Sequence, residues 1–475
     1  MKPITPLPHN SPEKRPVVVI GAGPAGLAAA YRLVQLGQCP LVMEKTGRIG
    51  GLARTETHNG YAFDIGGHRF FTKMATIQSL WQDMLPADFV RVKRMSRIFF
   101  NGRFFPYPLQ VLPTLKNLGL RESIAIVASY MKARLRPLPD ERTFEQWTVN
   151  RFGRRLYETF FKVYTEKVWG MPCSRLQADW AAQRIKGMSL PAAAANALFK
   201  TQSSKTLIDA FFYPKRGPAM MWQRFAEKIR QSGAQIHLNA PVHQLEIRNR
   251  RIVRVGVNRG GRDEMIAVSH VINTAPLFVL AHMPQPRLPA AVRSAAERLR
   301  FRDFLMVVLI LSRRDVFPDQ WIYIHDPTVK AGRIQNFKNW RPEMVPDQNT
   351  TSLGVEYFCN AGDALWRQPD AQLIQQAARE VAALGLARRR HVIDGRVIRQ
   401  AEAYPIYDPG FKTHLSLVRR AVAAVENLQS VGRNGMHRYN NMDHAMQSGI
   451  MAAENVLGAS HDPWEINEEA SYLET

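Results

Sequence analysis

The stretch from Val17 to Gly26 constrains the fold of this chain most strongly, because it predicts a buried strand, a glycine-rich turn and a helix in immediate succession. Residues 17–20 form a β-branched apolar run, which is typical of a strand buried on both faces of a parallel sheet. Glycine stands at positions 21, 23 and 26, and helix-forming residues follow up to Val34. A second apolar strand then ends at Glu44, which completes a predicted βαβ unit.

The spacing of these glycines predicts a dinucleotide-binding turn. Gly21 permits the tight turn, Gly23 lets the backbone approach a pyrophosphate, and Gly26 lets helix and strand pack closely. The helix N-terminus offers its unpaired N–H groups and its positive dipole end to the phosphates. Glu44 lies 18 residues after Gly26, where a carboxylate can accept hydrogen bonds from a ribose diol. The alternative is a βαβ unit whose glycines serve packing alone.

Two further glycine-rich segments follow. Residues 48–54 read RIGGLAR, and guanidinium groups beside backbone N–H donors predict a cradle that closes over the same pyrophosphate. Gly66 and Gly67 are adjacent, so the backbone there can lie against a flat ligand. His68 follows them and is the candidate proton shuttle, since histidine titrates near neutral pH. The alternative is a loop histidine that bonds to the backbone.

The net charge of the chain limits the classes of partner that we expect. The 475 residues include 64 Lys and Arg against 40 Asp and Glu, a net charge of +24. This balance favours an anionic small-molecule substrate or contact with an acidic membrane surface, and the alternative is a merely solubilising basic surface. The sequence contains no recognisable nucleic-acid-binding module, so we predict no nucleic acid partner. Oligomeric state is not predicted.

The cysteines and the apolar runs bear on location. Cys39, Cys173 and Cys359 have no metal-ligand spacing and no disulfide framework, which predicts a reducing, cytoplasmic setting and no metal site. The first fifteen residues are proline-rich and lack an apolar core, so we interpret them as a flexible leader and not a signal peptide. No run approaches about 18 apolar residues, which predicts no membrane-spanning segment.

The three glycine-rich segments resemble one flavoprotein superfamily. GAGPAG, the acidic Glu44, RIGGLAR and FDIGGH are similar to the corresponding stretches of amine oxidases, protoporphyrinogen oxidases and UDP-galactopyranose mutases. The resemblance implies FAD as the cofactor, with NAD as the weaker rival. It also implies an α/β fold: a Rossmann-like FAD-binding domain with a central parallel sheet, and a substrate domain that mixes helices with β-sheet.

Two later stretches resemble the mutase branch in particular. YTEKVWG at residues 164–170 and the run from Gly432 to Asp443 are similar to motifs of UDP-galactopyranose mutases. The second motif implies flavin contacts, with Asp443 at the start of a helix. The first implies a substrate cleft in which Arg184 and Arg302 face an anionic group and Trp169 packs nearby. Arg69, next to His68, is a third candidate for holding a diphosphate or carboxylate.

The resemblance also assigns residues to domains and to the cofactor. It implies a discontinuous FAD-binding domain at 16–75, 206–276 and 426–460, a substrate domain at 76–205 and 277–425, and a surface tail at 461–475. The predicted cofactor-binding residues are Gly21, Gly23, Pro24, Ala25, Gly26, Glu44, Lys45, Arg48, Gly51, Leu52, Arg54, Gly66, Gly67, His68, Val242, Gly432, Arg433, Asn441, Met442 and Asp443. The predicted catalytic residues are His68, Arg184 and Arg302.

Three hypotheses of function follow. The first is an FAD-dependent oxidoreductase whose substrate, a nucleotide sugar or sugar-diphosphate conjugate, loses hydride to the flavin. The second is a mutase-like sugar ring isomerase that uses reduced FAD as a nucleophile. The third is a flavin-stabilised scaffold without turnover. Asn440 and Asn441 stand where the mutases carry tyrosine and aspartate, which puts the mutase reaction in doubt. Redox chemistry is the first hypothesis, because a resemblance of fold does not fix the reaction.

Overall fold

The computed structural model of the chain describes residues 15–107, 109, 111–178 and 209–466. Its strands are β1 (Val17–Ile20), β2 (Leu41–Met43), β3 (Thr55–His58), β4 (Tyr61–Asp64), β5 (Phe89–Lys93), β6 (Ser96–Phe100), β7 (Arg103–Pro106), β8 (Ala210–Pro214), β9 (Gln235–His237), β10 (Val242–Arg248), β11 (Arg251–Arg259), β12 (Arg262–Ala267), β13 (His270–Asn273), β14 (Pro284–Gln285), β15 (Phe301–Leu311), β16 (Trp321–Ile324), β17 (Arg333–Asn336), β18 (Thr351–Cys359), β19 (Val392–Pro405) and β20 (Leu428–Ser430).

The helices lie between these strands along the chain, and five of them follow one another after β7. They are α1 (Pro24–Gln35), α2 (Ala75–Met84), α3 (Val111–Leu118), α4 (Leu120–Leu135), α5 (Phe144–Phe152), α6 (Arg154–Leu156), α7 (Val163–Trp169), α8 (Ala219–Gln231), α9 (Leu277–Leu280), α10 (Ala290–Glu297), α11 (Phe337–Trp340), α12 (Asp370–Ala383), α13 (Phe411–Ala423), α14 (Gly432–Gly435) and α15 (Met442–Asn455). A π-helical turn, Tyr157–Lys162, joins α6 to α7.

A five-stranded parallel sheet has β1 at its centre, in the order β20-β13-β1-β2-β9. All four residues of β1 are buried. Val17 and Val19 pack into a core shared with α1, α8 and α15. Val18 and Ile20 pack on the other face, into a core that includes β10 and β11. Burial on both faces explains why β1 is continuously apolar and does not alternate with polar residues.

A seven-stranded mixed sheet lies elsewhere in the chain, in the order β19-β15-β18-β17-β16-β6-β7. β15 is antiparallel to both β18 and β19, whereas β16 and β6 run parallel. The helices α5 to α7 form a further core with the sheet, built on aromatic side chains such as Phe144, Trp147 and Phe160. The predicted fold class, with a parallel sheet and a mixed helical and β-sheet part, is confirmed.

Two local features of the backbone follow from short sequence patterns. Thr143 begins α5: its Oγ1 accepts a hydrogen bond of 3.2 Å from Gln146 N, and its own N–H donates to the Gln146 side chain at 3.1 Å. This is the reciprocal capping box. Asn101 and Gly102 join β6 to β7, with φ of 48° and 73°, as a two-residue hairpin turn requires.

The residue bounds of the two domains stay a prediction. The predicted leader and tail fall largely outside the described residues, as does 179–208. Among the described residues, no helix is both long and apolar enough to cross a membrane.

Candidate functional site

In the turn between β1 and α1, a ligand can approach the backbone at one of the three glycines. Gly21 has a φ of +101°, and a Cβ there would lie 2.2 Å from Thr274 Oγ1. A Cβ on Gly26 would lie 1.9 Å from the carbonyl oxygen of Gly21. A Cβ on Gly23, by contrast, would meet only the Gly51 Cα, at 3.7 Å. Gly21 and Gly26 are therefore required by packing, whereas the space in front of Gly23 is free for a ligand.

The 48–54 loop lies directly on this turn. Gly50 N donates to Ala22 O at 2.8 Å, and a Cβ on Gly51 would lie 3.1 Å from the Gly23 Cα. Arg54 donates to Gly51 O at 2.9 Å, and burial lowers its pKa to about 10. The two glycine-rich loops thus form a single cradle that combines backbone N–H donors with a fixed guanidinium.

Glu44 lies at the end of β2, beside the same cradle. Its Oε2 accepts a hydrogen bond of 2.8 Å from Ala22 N, and its Oε1 accepts from the Thr46 N–H and hydroxyl at 2.9 and 2.8 Å. The carboxylate is therefore held in one orientation by the loops on either side of it. Its contact with a ribose stays a prediction.

A cavity of about 710 Å³ extends from this cradle, a size that suits a large cofactor. All but two of the predicted cofactor-binding residues line it; the exceptions are Gly26, which packs against the turn, and Asp443, which is buried at the start of α15. The predicted residues that line it are Gly21, Gly23, Pro24, Ala25, Glu44, Lys45, Arg48, Gly51, Leu52, Arg54, Gly66, Gly67, His68, Val242, Gly432, Arg433, Asn441 and Met442.

At the other end of the cavity, His68 lies among arginines. Its Nδ1 is buried and has no hydrogen-bond partner among the described residues. Burial first, and then the charges of Arg433 and Arg333, lower the pKa of His68 from its usual 6.5 to about 3. The imidazole is therefore neutral at physiological pH, and this state does not support a proton shuttle that titrates near pH 7. A catalytic role for His68 stays a prediction.

Arg433 is held beside two tyrosines that line the same cavity. Its Nε donates to Asn440 O at 2.9 Å and its NH1 to Ala403 O at 3.2 Å. The guanidinium carbon lies 4.8 Å from the ring centre of Tyr439 and 5.7 Å from that of Tyr404. The two rings stack on each other, with centres 5.6 Å apart. These contacts fix the orientation of Arg433 before any ligand binds.

Arg333 was missed by the sequence analysis. It stands opposite Glu356 in the pairing of β17 with β18, and its Nε and NH2 donate to Glu356 Oε2 at 2.7 and 2.6 Å. Burial opposes its charge, yet Glu356 holds the pKa of Arg333 well above the usual value. The guanidinium would lie 3.8 Å from a Cβ placed on either Gly66 or Gly67. A permanently charged donor therefore faces the paired glycines.

A family model decides the identity of this arrangement. The model of the flavin-containing amine oxidoreductases matches residues 24–457. The chain belongs to the flavin-containing amine oxidoreductase family. The matched range includes the second half of the first glycine-rich turn, from Pro24 to Gly26. It also includes the 48–54 loop, the paired glycines and the run from Gly432 to Asp443, so the resemblance to this superfamily is confirmed.

Individual relatives match over shorter stretches. The chain is 28% identical to a probable UDP-galactopyranose mutase of Klebsiella pneumoniae over 174 residues, covering 34% of this chain and 43% of the relative. It is 27% identical to putrescine oxidase of Kocuria rosea over 148 residues, covering 28% of this chain and 31% of the relative. The matches thus span less than half of each curated relative.

A solved structure shares the whole fold. The structure of reduced UDP-galactopyranose mutase superposes with a TM-score of 0.82 at 20% identity, covering 96% of this chain and 98% of that one. At this identity the likeness establishes the fold of this family member, while its reaction must be argued from the site.

The cofactor of this family member is FAD, and the residues present fit it. The open approach at Gly23, the N-terminus of α1 and the fixed Arg54 suit a pyrophosphate. Glu44 lies beside them, where a ribose would follow. The partnerless Nδ1 of His68 and the bare backbone of Gly66 and Gly67 suit a flat, polar ring system at the far end.

Arg302 does not lie where the prediction requires. Its Nε donates to Val168 O at 3.1 Å, its NH1 to Asn360 Oδ1 at 2.8 Å and its NH2 to Phe358 O at 2.7 Å. It is buried and does not line the cavity. The guanidinium satisfies a carbonyl at the C-terminal end of α7, which has no partner within the helix. These bonds join α7 to β18, and a catalytic role for Arg302 stays a prediction.

The three other predicted substrate residues have different outcomes. Trp169 is buried in the core of α5 to α7 and does not line the large cavity. Arg184 lies outside the described residues, so its role stays a prediction. Arg69 does line the cavity, and its guanidinium carbon lies 5.8 Å from the ring centre of Trp321.

Within the described ranges, no group of three or more His, Cys, Asp or Glu side chains is placed to hold a metal ion.

Proposed function

We propose that this family member is an FAD-dependent oxidoreductase that oxidises an anionic small molecule, with a nucleotide sugar or sugar-diphosphate conjugate as the first candidate. The observation that carries the proposal is the convergence of Arg69, Arg333 and Arg433 on the cavity wall beside His68. Glu356 holds Arg333 at 2.6 Å, and all three guanidinium groups belong to residues that line the cavity. The end of the cavity therefore carries excess positive charge, which favours an anion.

This charge argues against an amine substrate. The faces of Tyr404 and Tyr439, which could otherwise attract an ammonium group, are next to Arg433. A protonated amine would meet like charges from three arginines within one partly enclosed space. Such juxtaposition weakens binding more in a buried site than at a surface.

The residues of the chain divide the work of binding and proton handling. When bound, FAD supplies two-electron redox chemistry and takes the hydride that the substrate carbon loses. Arg69 and Arg433 hold the anionic group and fix the orientation of the substrate. Trp321, Tyr323 and Trp340 line the wall and exclude water. Oxidation of an alcohol would also release the hydroxyl proton to bulk water, and the neutral imidazole of His68 can accept a hydrogen bond from that hydroxyl and orient it.

A sugar ring isomerase is the second candidate. The stretch of 174 residues that is 28% identical to a probable UDP-galactopyranose mutase favours it. Isomerisation involves no net redox change, so it would need reduced flavin but no external electron acceptor. The arginines of the cavity serve an anionic substrate equally in both reactions.

One experiment separates these candidates. The purified protein is incubated anaerobically with UDP-sugars while its flavin absorbance is recorded. Bleaching by the sugar alone supports oxidation, whereas isomerised product that forms only after dithionite reduction supports the isomerase. A flavin spectrum unchanged by every sugar nucleotide, with no product, would contradict the anionic substrate class. A protein that releases no flavin on denaturation would contradict the cofactor itself.

Variants of the arginines test the substrate site directly. Arg69→Gln and Arg184→Ala are expected to weaken binding of the sugar nucleotide while the flavin content stays unchanged. Arg388→Gln, at the start of an exposed cluster of arginines, is the matched control. Unchanged binding in Arg184→Ala would remove that residue from the proposed site.

A cytoplasmic location also remains our proposal. The three thiols are free: Cys39 is exposed, and Cys173 and Cys359 are buried. Free thiols without a disulfide framework support a reducing compartment.

A further inference from the structure

Helix α4 presents an apolar face to solvent. Nine large apolar side chains stand out as exposed among the described residues, and five of them lie on this helix. They are between 51% and 79% exposed: Leu120, Ile124, Val127, Met131 and Leu135. Their spacing of three and four residues places them on one side of the helix. Apolar surface of this extent on one helix marks an interaction site.

The rest of the protein holds α4 with this face turned outward. On the opposite side Ile126 is buried in the core of α5 to α7. A Cβ on Gly153 would lie 2.7 Å from the backbone nitrogen of Tyr130, so the turn before α6 touches the α4 backbone. Arg155 donates to both carboxylate oxygens of Glu122, at 2.6 and 2.9 Å. The apolar face is therefore a fixed surface.

Basic side chains flank the apolar face. At 100° per residue, Arg121 and Lys132 lie along one edge of the face and Arg134 along the other. Arg136 follows the helix directly, and all four are exposed. The one acidic residue of α4, Glu122, lies on the opposite side and is bound to Arg155. An apolar face between cationic edges is the arrangement of a helix that lies in the interface of an anionic bilayer.

We propose that the protein docks peripherally on an anionic phospholipid surface through this face of α4, with the apolar side chains at the acyl boundary and the flanking cations at the headgroups. The net charge of +24 complements such a surface. A second copy of the chain is a poorer occupant of this face. It would bring the same flanking cations, and the face carries no carboxylate that could balance them.

The docking face is connected to the cavity. Tyr107 lines the cavity wall and follows β7 directly. The chain then enters α3, which leads into α4 through Gly119. Along the chain, the segment that contains α3 is all that separates the docking helix from this cavity-lining residue.

Sedimentation of the full-length, flavin-loaded protein with vesicles tests the proposal. Vesicles of phosphatidylglycerol mixed with phosphatidylcholine are expected to pellet the protein at low salt, phosphatidylcholine alone should retain much less, and added salt should release it. Ile124→Gln/Met131→Gln should lower the partition coefficient about tenfold or more. Arg121→Gln/Arg134→Gln should lower it about fivefold for each cation removed. Glutamine preserves helix propensity.

The matched control is Met265→Gln/Ile393→Gln, which changes two exposed apolar residues elsewhere and should leave binding unchanged. Flavin content and the melting temperature verify that each variant is folded. The proposal is wrong if the wild type stays in the supernatant with both vesicle types at low salt. It is also wrong if light scattering finds a dimer that Ile124→Gln/Met131→Gln dissociates, because a second copy would then cover the face.

Discussion

Gly23→Ala should separate cofactor binding from folding. Gly23 has a φ of −80° and a ψ of −176°, a conformation that alanine adopts without strain. The added methyl would lie 3.7 Å from the nearest protein atom, the Gly51 Cα, so it causes no clash within the protein. It would, however, occupy the space through which a pyrophosphate approaches the N-terminus of α1.

The magnitude follows from the hydrogen bonds that the methyl prevents. Backbone N–H groups at a helix N-terminus donate to phosphate oxygens, and a hydrogen bond to a charged group contributes about 1.5–3 kcal/mol. Loss of two such bonds at the lower value costs about 3 kcal/mol, or more than a hundredfold in Kd. The unfolding free energy of the cofactor-free protein should change by less than about 0.5 kcal/mol.

The assay is titration of cofactor-free protein with FAD, followed by quenching of flavin fluorescence, together with thermal unfolding of the cofactor-free form. Gly26→Ala is the contrasting variant. Its methyl would lie 1.9 Å from Gly21 O, so we expect loss of folded protein. Wild-type affinity for FAD in a folded Gly23→Ala protein would refute the assignment of this turn to the pyrophosphate.

Three further predictions concern buried polar groups. Arg302→Met leaves the carbonyls of Val168 on α7 and Phe358 on β18 without their donor. The variant should lower the free energy of unfolding, measured by urea titration, by about 3 kcal/mol, while its affinity for FAD is unchanged. Weakened FAD binding would contradict a structural role for Arg302. Burial raises the pKa of Asp64 from 3.8 to about 7, so between these pH values the folded state retains a proton that the unfolded state releases. The free energy of unfolding should therefore fall as pH rises from about 4 to 7. Asp64→Asn should flatten this pH dependence, and an unchanged pH dependence would assign it to another group. Because the pKa of His68 is about 3, flavin reduction should show no ionisation of His68 between pH 5 and 8; an acid limb near pH 6.5 that disappears in His68→Asn would show that substrate restores its proton affinity.

The segments that could be predicted from the sequence are those whose geometry depends on near neighbours. The turn at Gly21 to Gly26 needs glycine for reasons of contact within a few residues, and the cap at Thr143 is complete within one helical turn. Strand β1 and most of strand β15 are continuously apolar in sequence, and this pattern alone predicts that both are buried. The cradle follows from these local rules, whereas much of the cavity wall comes from segments that lie far apart in the sequence.

Arg333 could not be found in this way. It begins a four-residue strand with no distinctive pattern, and its partner Glu356 lies on the next strand, 23 positions later. Neither the pairing of β17 with β18 nor its register could be identified from the sequence. Register between strands depends on the whole sheet, because a shift of one residue turns every side chain to the other face.

The contrast between Arg302 and Arg333 shows what decides the function of an arginine in such a fold. Both are largely buried, and both lie at the first or second position of a strand in the same sheet. A bulge in the pairing of β15 with β19 falls between Arg302 and Phe304, and bulges redirect side chains; the guanidinium of Arg302 ends on carbonyls of α7 and β18. Arg333 lies in regular register opposite Glu356, which neutralises its charge in the protein interior while leaving donors toward the cavity. An arginine held in this way can bind an anion without the cost of an unpaired buried charge. The order of residues along the chain therefore identifies the candidate arginines, but the strand register selects the one that faces the cavity.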